Sequence, residues 1–344
     1  MPSRHQTLAS FEYNLPHVVI AFCIAGIVFT SLILGLCLWA LWNPVSRRHL
    51  DRVSFRLLIY ALIAYIGYSG CLICAVKLGP GSACTGTAWF ANACILFAGI
   101  MFFSMALNLQ LVLVHGVNGQ RMEKYYISAA VIVTLACTIP PYAAGAFGYE
   151  DGCWYDSPDT IVRLRWYVAS LGLWLFLLSA GEVVNFVIIV KCMITRHRAA
   201  AMPTESSTAA LVRPPIVVYR NFILRIGLYP LVSCFFAITL GALDIHVTLD
   251  PLETVENRIL NIIDLLLYAI RPIVYALLAA TDPSFLRAMR ALRGSEPDPS
   301  ITPMQLTVPT NTSRMTGYPS TYDTEVEVNS IKEEADPETT FRQI

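Results

Sequence analysis

The sequence predicts an all-α membrane protein: a bundle of seven transmembrane helices, then a short amphipathic helix, then a disordered tail. Three observations carry that prediction. Of the 344 residues, 56% are hydrophobic and 14% charged, whereas a soluble domain carries about a quarter charged residues. Seven apolar stretches are long enough to cross a bilayer, which takes about 20 residues each. Lys and Arg gather on alternate connections between those stretches, the pattern that membrane insertion imposes.

The elements follow in order. Residues 1–16 are polar and lack the basic, apolar and small-residue zones of a signal peptide, so they read as an exported N-terminal tail. The first span is expected at Val18–Trp42, closed by Asn43-Pro44, and the second at Phe55–Leu78, closed by Gly79-Pro80-Gly81. The third is expected at Ala88–Val114, before His115-Gly116, and the fourth at Ile127–Phe147, before the acidic loop Glu150–Asp159. The last three are expected at Trp166–Val190, Ile216–Leu243 and Ile259–Ala280. Asp264 and Arg271, lying inside it, make the seventh the weakest of these stretches.

After the seventh span, Asp282 suits an N-cap, Pro283 a first helical position and Gly294 a stop. Phe285, Met289 and Leu292 share one face, flanked by Arg287, Arg290 and Arg293. That pattern predicts a basic helix lying on the membrane surface, and it closes a bundle spanning residues 17–294. Residues 295–344 are rich in Pro, Ser, Thr and Glu and bury too little to fold, so a disordered tail is expected there.

The first, third and fifth connections and the tail-side helix hold fourteen Lys and Arg residues, against five on the other side. The basic side is expected in the cytoplasm, which puts the N-terminus outside and the tail inside, in the plasma membrane. No basic block with interleaved aromatics is present, so nucleic acid is not an expected partner. The lipid bilayer is.

Cys84, before the third span, and Cys153, after the fourth, fall on the expected outer side, where a disulfide persists. A bond between them would tie the second outer loop to the third helix; two unpaired buried thiols are the alternative. The other eight cysteines read as small packing residues.

Polar side chains at membrane depth are expensive and mark functional candidates. At the 1.5 Å rise of a helix, Glu182 lies about 24 Å in from Trp166, and Arg271 about 18 Å from Ile259. Arg271 is expected to join Glu182 or Asn108 in an interior network that rearranges on switching, with Arg225 of the sixth helix a further member. Static interhelical glue is the alternative. Nearer the outer side, Trp89, Asn92, Trp166, Tyr167, Asp244, His246, Asn261 and Asp264 share a level. Convergent aromatics and a few polar groups fit a ligand pocket; an interfacial aromatic belt would account for Trp89, Trp166 and Tyr167 alone. Pro230 denies the Ile226 carbonyl its donor, so the sixth helix should kink and swing its inner end.

The last span has no lysine to carry a retinal Schiff base. The six histidines lie in tails, loops or helix ends, so no intramembrane zinc site is expected. An enzyme is not expected, nor is a metal or other cofactor. A transporter of a small solute remains the alternative, although paired broken helices in repeated halves are missing from the sequence.

Several short motifs carry a resemblance. Gly152-Cys153-Trp154 followed by Arg165-Trp166-Tyr167, Arg225 with Leu228-Tyr229-Pro230-Leu231-Val232, Arg271-Pro272-Ile273-Val274-Tyr275 and Asp282-Pro283-x-Phe285 resemble cyclic-AMP-receptor-like (class E, secretin-like fungal type) G-protein-coupled receptors. Arg271 to Tyr275 stands where rhodopsin-like receptors carry Asn-Pro-x-x-Tyr. The third helix ends Asn108-Leu109-Gln110-Leu111-Val112-Leu113-Val114-His115, without the Asp/Glu-Arg-Tyr triplet of those receptors. The resemblance implies an extracellular cue, transduction to a heterotrimeric G protein, and Tyr275 as part of the switch. It places G-protein contacts on the basic inner face, at Arg196, Arg198, Arg213, Arg220, Arg287 and Arg290. Cyclic AMP itself is not implied, because the expected outer face is acidic.

Overall fold

The computed structural model describes residues 4–43, 53–117, 119–149, 153–201, 216–249 and 254–292. Seven helices in it are long and apolar enough to cross a membrane. The chain is a multi-pass membrane protein built as a seven-helix bundle. The helices are α1 (Arg4–Trp42), α2 (Val53–Lys77), α3 (Ser82–His115) and α4 (Gly119–Ala143). Thr160–Tyr167, a π-helical turn Val168–Gly172 and Leu173–Ala201 run on as α5. Then come α6 (Ile216–Leu249), α7 (Val255–Ala280) and a short α8 (Pro283–Leu292).

Each span matches an apolar run, but most helices outrun it, because a helix needs no apolar residue once it leaves lipid. The start of α1 at Arg4 takes in much of the polar tail. Two caps explain where helices begin. Asp159 accepts a hydrogen bond from the Ile161 amide at 2.9 Å to start α5, and the Thr254 hydroxyl accepts from the Asn257 amide at 3.2 Å to start α7. At the end of α3, Gly116 adopts φ 66°, the left-handed stop that glycine tolerates.

The fourth span ends earlier than its hydropathy predicts. Phe147 belongs to a strand, β1 (Phe147–Tyr149), which pairs antiparallel with β2 (Cys153–Tyr155). Phe147 faces Tyr155 and Tyr149 faces Cys153. The two strands make a hairpin that lies on α3, and Cys84 at the head of α3 is bonded to Cys153, 69 residues away. This defines the disulfide end of the bundle.

α3 is the centre. Its most apolar window is 61% buried, more than that of any other span, and it packs against α2, α4 and α5. α1 lies against α2 and α7, and α6 bridges α5 and α7. The exposed faces remain apolar, as lipid requires: Val28, Trp39, Leu177, Leu231 and Phe235 all point outward. At the end remote from the disulfide, α8 sets Phe285 and Ala288 into the bundle, with Met289 and Leu292 half-buried and Arg287 and Arg290 exposed. That is the amphipathic division its sequence predicts. Residues 295–344 and the expected stop at Gly294 lie outside the described residues.

Candidate functional site

Two buried polar groups occupy the bundle, one beneath the hairpin and one deeper. Beneath the hairpin, Tyr155 at the end of β2 is buried and turned toward α3 and α5. Its hydroxyl meets Asn92 Nδ2 on α3 and, at 2.5 Å, Ser170 Oγ on α5. The proton directions follow by elimination. Ser170 gives its one proton to the Trp166 carbonyl at 2.7 Å, so Tyr155 donates to Ser170 and accepts from Asn92. Burial holds the Tyr155 phenol above its ordinary range, so it stays neutral. The π-turn puts Ser170 there: the extra residue in that turn rotates it inward, and the Trp174 indole N–H takes the Ala169 carbonyl at 3.0 Å.

Next to this chain lies a carboxylate. Asp244 on α6 is buried, and its Oδ2 accepts from Tyr167 at 2.7 Å and from Tyr268 at 2.6 Å. Tyr268 stands one turn after Asp264 on the same face of α7. Asp264 is also buried, its Oδ1 has no hydrogen-bond partner, and the charge that acts on it is that of Asp244. Rings close the group: Tyr155 meets Tyr167 edge-on with centroids 5.9 Å apart, and Trp154 lies 6.0 Å from Tyr268.

The deeper group is built on Arg271 of α7, which is 2% exposed. Its guanidinium carbon sits 5.7 Å from the ring centroids of Tyr65 and Phe236 and 5.9 Å from that of Tyr275. Tyr275 stacks on Phe102 at 4.4 Å and on Tyr65 at 5.1 Å. Glu182 on α5 is 1% exposed and feels the charge of Arg271. Both its oxygens, and Arg271 Nε and Nη1, are buried without a hydrogen-bond partner. A charge held chiefly by ring faces is rare in a core and costly to assemble.

The sequence candidates divide accordingly. Asn92, Asp244 and Asp264 come together with Tyr167 under the hairpin, Trp166 contributes its carbonyl, and Asn261 is half-buried one turn before Asp264. Trp89 stands on another wall: its ring contacts are Phe90 and Tyr142, and its buried indole N–H is unpartnered. His246 is exposed. Arg271, Glu182 and Tyr275 form the deeper group, whereas Asn108 does not join it. Asn108 Nδ2 meets Ser54 Oγ at 3.3 Å, and Gly119 sits so close that a Cβ there would stand 2.8 Å from Asn108 Oδ1. The reason is register: Asn108 lies one turn or more beyond the ring cluster, at the end where α4 begins. Pro230 is buried, and α6 runs through it unbroken. Arg213 lies outside the described residues, as do the side chains of Arg196, Arg198, Arg220 and Arg225.

Tyr155, Ser170 and Tyr268 escaped the sequence reading. Tyr268 had a signal, since it follows Asp264 by four residues on one helical face. Tyr155 and Ser170 had none, because a hairpin and a π-turn bring them together. No family model matches the chain, and no curated protein is significantly similar to it.

Proposed function

We propose that this chain is a plasma-membrane receptor that binds an extracellular cue at its disulfide end and activates a heterotrimeric G protein at the other. The observation that carries the reading is the division of the bundle. A disulfide-tied hairpin presses Tyr155 onto a buried cluster of carboxylates and phenols, while the opposite end carries a basic surface helix with Arg287 and Arg290 exposed. Disulfides persist in oxidising compartments, so the hairpin faces outward, in agreement with the Lys and Arg asymmetry. The N-terminus is then outside and the tail in the cytoplasm.

The deeper group supplies the relay. Arg271, Tyr275, Glu182 and the rings of Tyr65, Phe102 and Phe236 link α2, α3, α5, α6 and α7, so a shift at the hairpin reaches α6 through packed side chains. A binding event then favours one of two pre-existing packings of α6 and α7 around the guanidinium. The cyclic-AMP-receptor-like resemblance points the same way, since its motifs fall on Arg271 to Tyr275 and on Tyr229-Pro230.

The test is guanine-nucleotide exchange on purified heterotrimers by the chain reconstituted in lipid nanodiscs. Exchange above the empty-nanodisc rate, lost in Arg271→Met, is expected. Solute flux into vesicles with no exchange would replace the receptor by a transporter. Labelling of an epitope at residue 344 on intact cells would reverse the orientation.

A further inference from the structure

Asp264 on α7 stands one turn before Tyr268, whose hydroxyl reaches Asp244 on α6 at 2.6 Å, so two buried carboxyls share one neighbourhood, and only one of them is provided for. Asp244 Oδ2 takes protons from two phenols, Tyr167 and Tyr268. Asp264, 8% exposed, keeps Oδ1 without a donor, and its electrostatic neighbour is a second carboxylate. Two carboxyls this deep in a core stay together either by one of them keeping its proton or by a cation that joins them. The one cation on the same helix face is Arg271, seven residues or about 10 Å along the axis, and three ring faces already hold it. Tyr68 lies between, within electrostatic range of both Asp264 and Arg271.

What surrounds the pair specifies the missing partner. An ionised carboxylate only accepts, so a partner that ionises Asp264 must donate. Tyr167 and Tyr268 are in the pair's immediate shell, with Tyr155 edge-on to the first and Trp154 beside the second. Aromatic faces around carboxylates favour an organic cation. Among the described residues no three His, Cys, Asp or Glu side chains gather to hold a metal ion, so the set is short of a metal's ligands.

We propose that the Asp244–Asp264 pair is the recognition site for a small organic ammonium ligand, with Asp264 as its salt-bridge partner and Tyr167, Tyr268 and Trp154 as walls. The inference rests on the receptor reading for its biological use, but not for its chemistry. Asp244 and its two phenols fix the rear of the site, and Asp264 Oδ1 is the free acceptor that an N–H would take.

The experiment is a thermal-shift titration of the purified full chain with phenethylamine, tryptamine and spermidine, against 2-phenylethanol and phenylacetate as neutral and anionic counterparts. At least one amine is expected to raise the melting temperature saturably while its counterparts do not. Asp264→Asn should weaken that amine by more than about 30-fold, the scale for removing one partner of a buried charge pair. Glu123→Gln, remote from the site, should leave the affinity unchanged. Stabilisation by none of the amines, equal stabilisation by phenethylamine and 2-phenylethanol, or wild-type affinity in Asp264→Asn would each overturn the proposal. The first two contrasts need only the wild-type chain, so a variant that fails to fold does not block the decision. Amine binding without nucleotide exchange would keep the site and sink the receptor; exchange without amine binding would do the reverse.

Discussion

Asp244 and Arg271 are both buried, on adjacent helices of one bundle, yet the chain accommodates their charges by opposite means. The carboxylate is met by protons: two phenolic hydroxyls converge on a single oxygen. The guanidinium is met by electron-rich ring faces at 5.7–5.9 Å, with Nε and Nη1 making no hydrogen bond. Tyrosine serves both, by its hydroxyl in one group and by its face in the other. A hydrogen bond is directional and fixes geometry to a few tenths of an ångström. A cation–π contact tolerates sliding, because the attraction varies slowly across a ring face. The difference suits a rigid receptacle beneath the hairpin and a group further in that can repack.

The comparison breaks most readily at Arg271. Arg271→Met removes the cation from three rings and leaves Glu182 buried without its opposite charge. A loss of about 3–5 kcal/mol is expected, the scale for breaking a buried pair from one side. Chemical unfolding in detergent micelles measures it. Adding Glu182→Met should recover a large part of the loss, because an unpartnered buried carboxyl is then replaced by an apolar side chain. A single variant that unfolds like the wild type, or a double variant no better than the single, would mean that the two charges do not act on each other.

The hairpin group is sharpened through its covalent tie. Cys84→Ser with Cys153→Ser opens a loop of 69 residues and should cost about 2–5 kcal/mol. The loss should fall on one end. Hydrogen exchange ought to rise on Phe147–Tyr149, on Cys153–Tyr155 and around Ser170, since Tyr155 is carried by β2, while the amides around Arg271 stay as protected as before. Equal deprotection of both regions would show that they are one cooperative unit and not two.

How far the sequence reaches differs between the same two regions. The spans were legible because burial in lipid is a local property that any window of about 20 residues reports. Arg271, Glu182 and Tyr275 were legible for the same reason, each being an expensive residue in an apolar run. Cys84 and Cys153 were legible from compartment, but the strands they clamp were not: β1 and β2 have three residues each, and their pairing depends on α3 beneath them. The Asn92–Tyr155–Ser170 chain was invisible, since it needs a hairpin, a π-turn and a disulfide together. Asn108 falls outside the group because sequence counts depth along one helix but not the offset at which α3 packs beside α7, which sets Asn108 next to Ser54 and Gly119 instead.

The smallest effect tests the directional half of the comparison. Tyr268→Phe keeps the ring against Trp154 and Tyr68 and removes one hydrogen bond donated to Asp244, so packing is held constant while the hydrogen bond goes. A cost of about 1.5–3 kcal/mol is expected for a bond to a charged acceptor, and Tyr167→Phe should cost about the same, since both hydroxyls meet the same Oδ2. The double variant decides how the two share it. If Asp244 needs both donors, removing the second should cost more than removing the first, because a buried carboxylate oxygen is then left bare and the double variant loses more than the two single variants added together. If the second loss is the smaller, one phenol suffices and the convergence of two on one oxygen serves to position the rings. If neither single variant melts below the wild type, the carboxylate is not held by protons, and the contrast with Arg271 disappears.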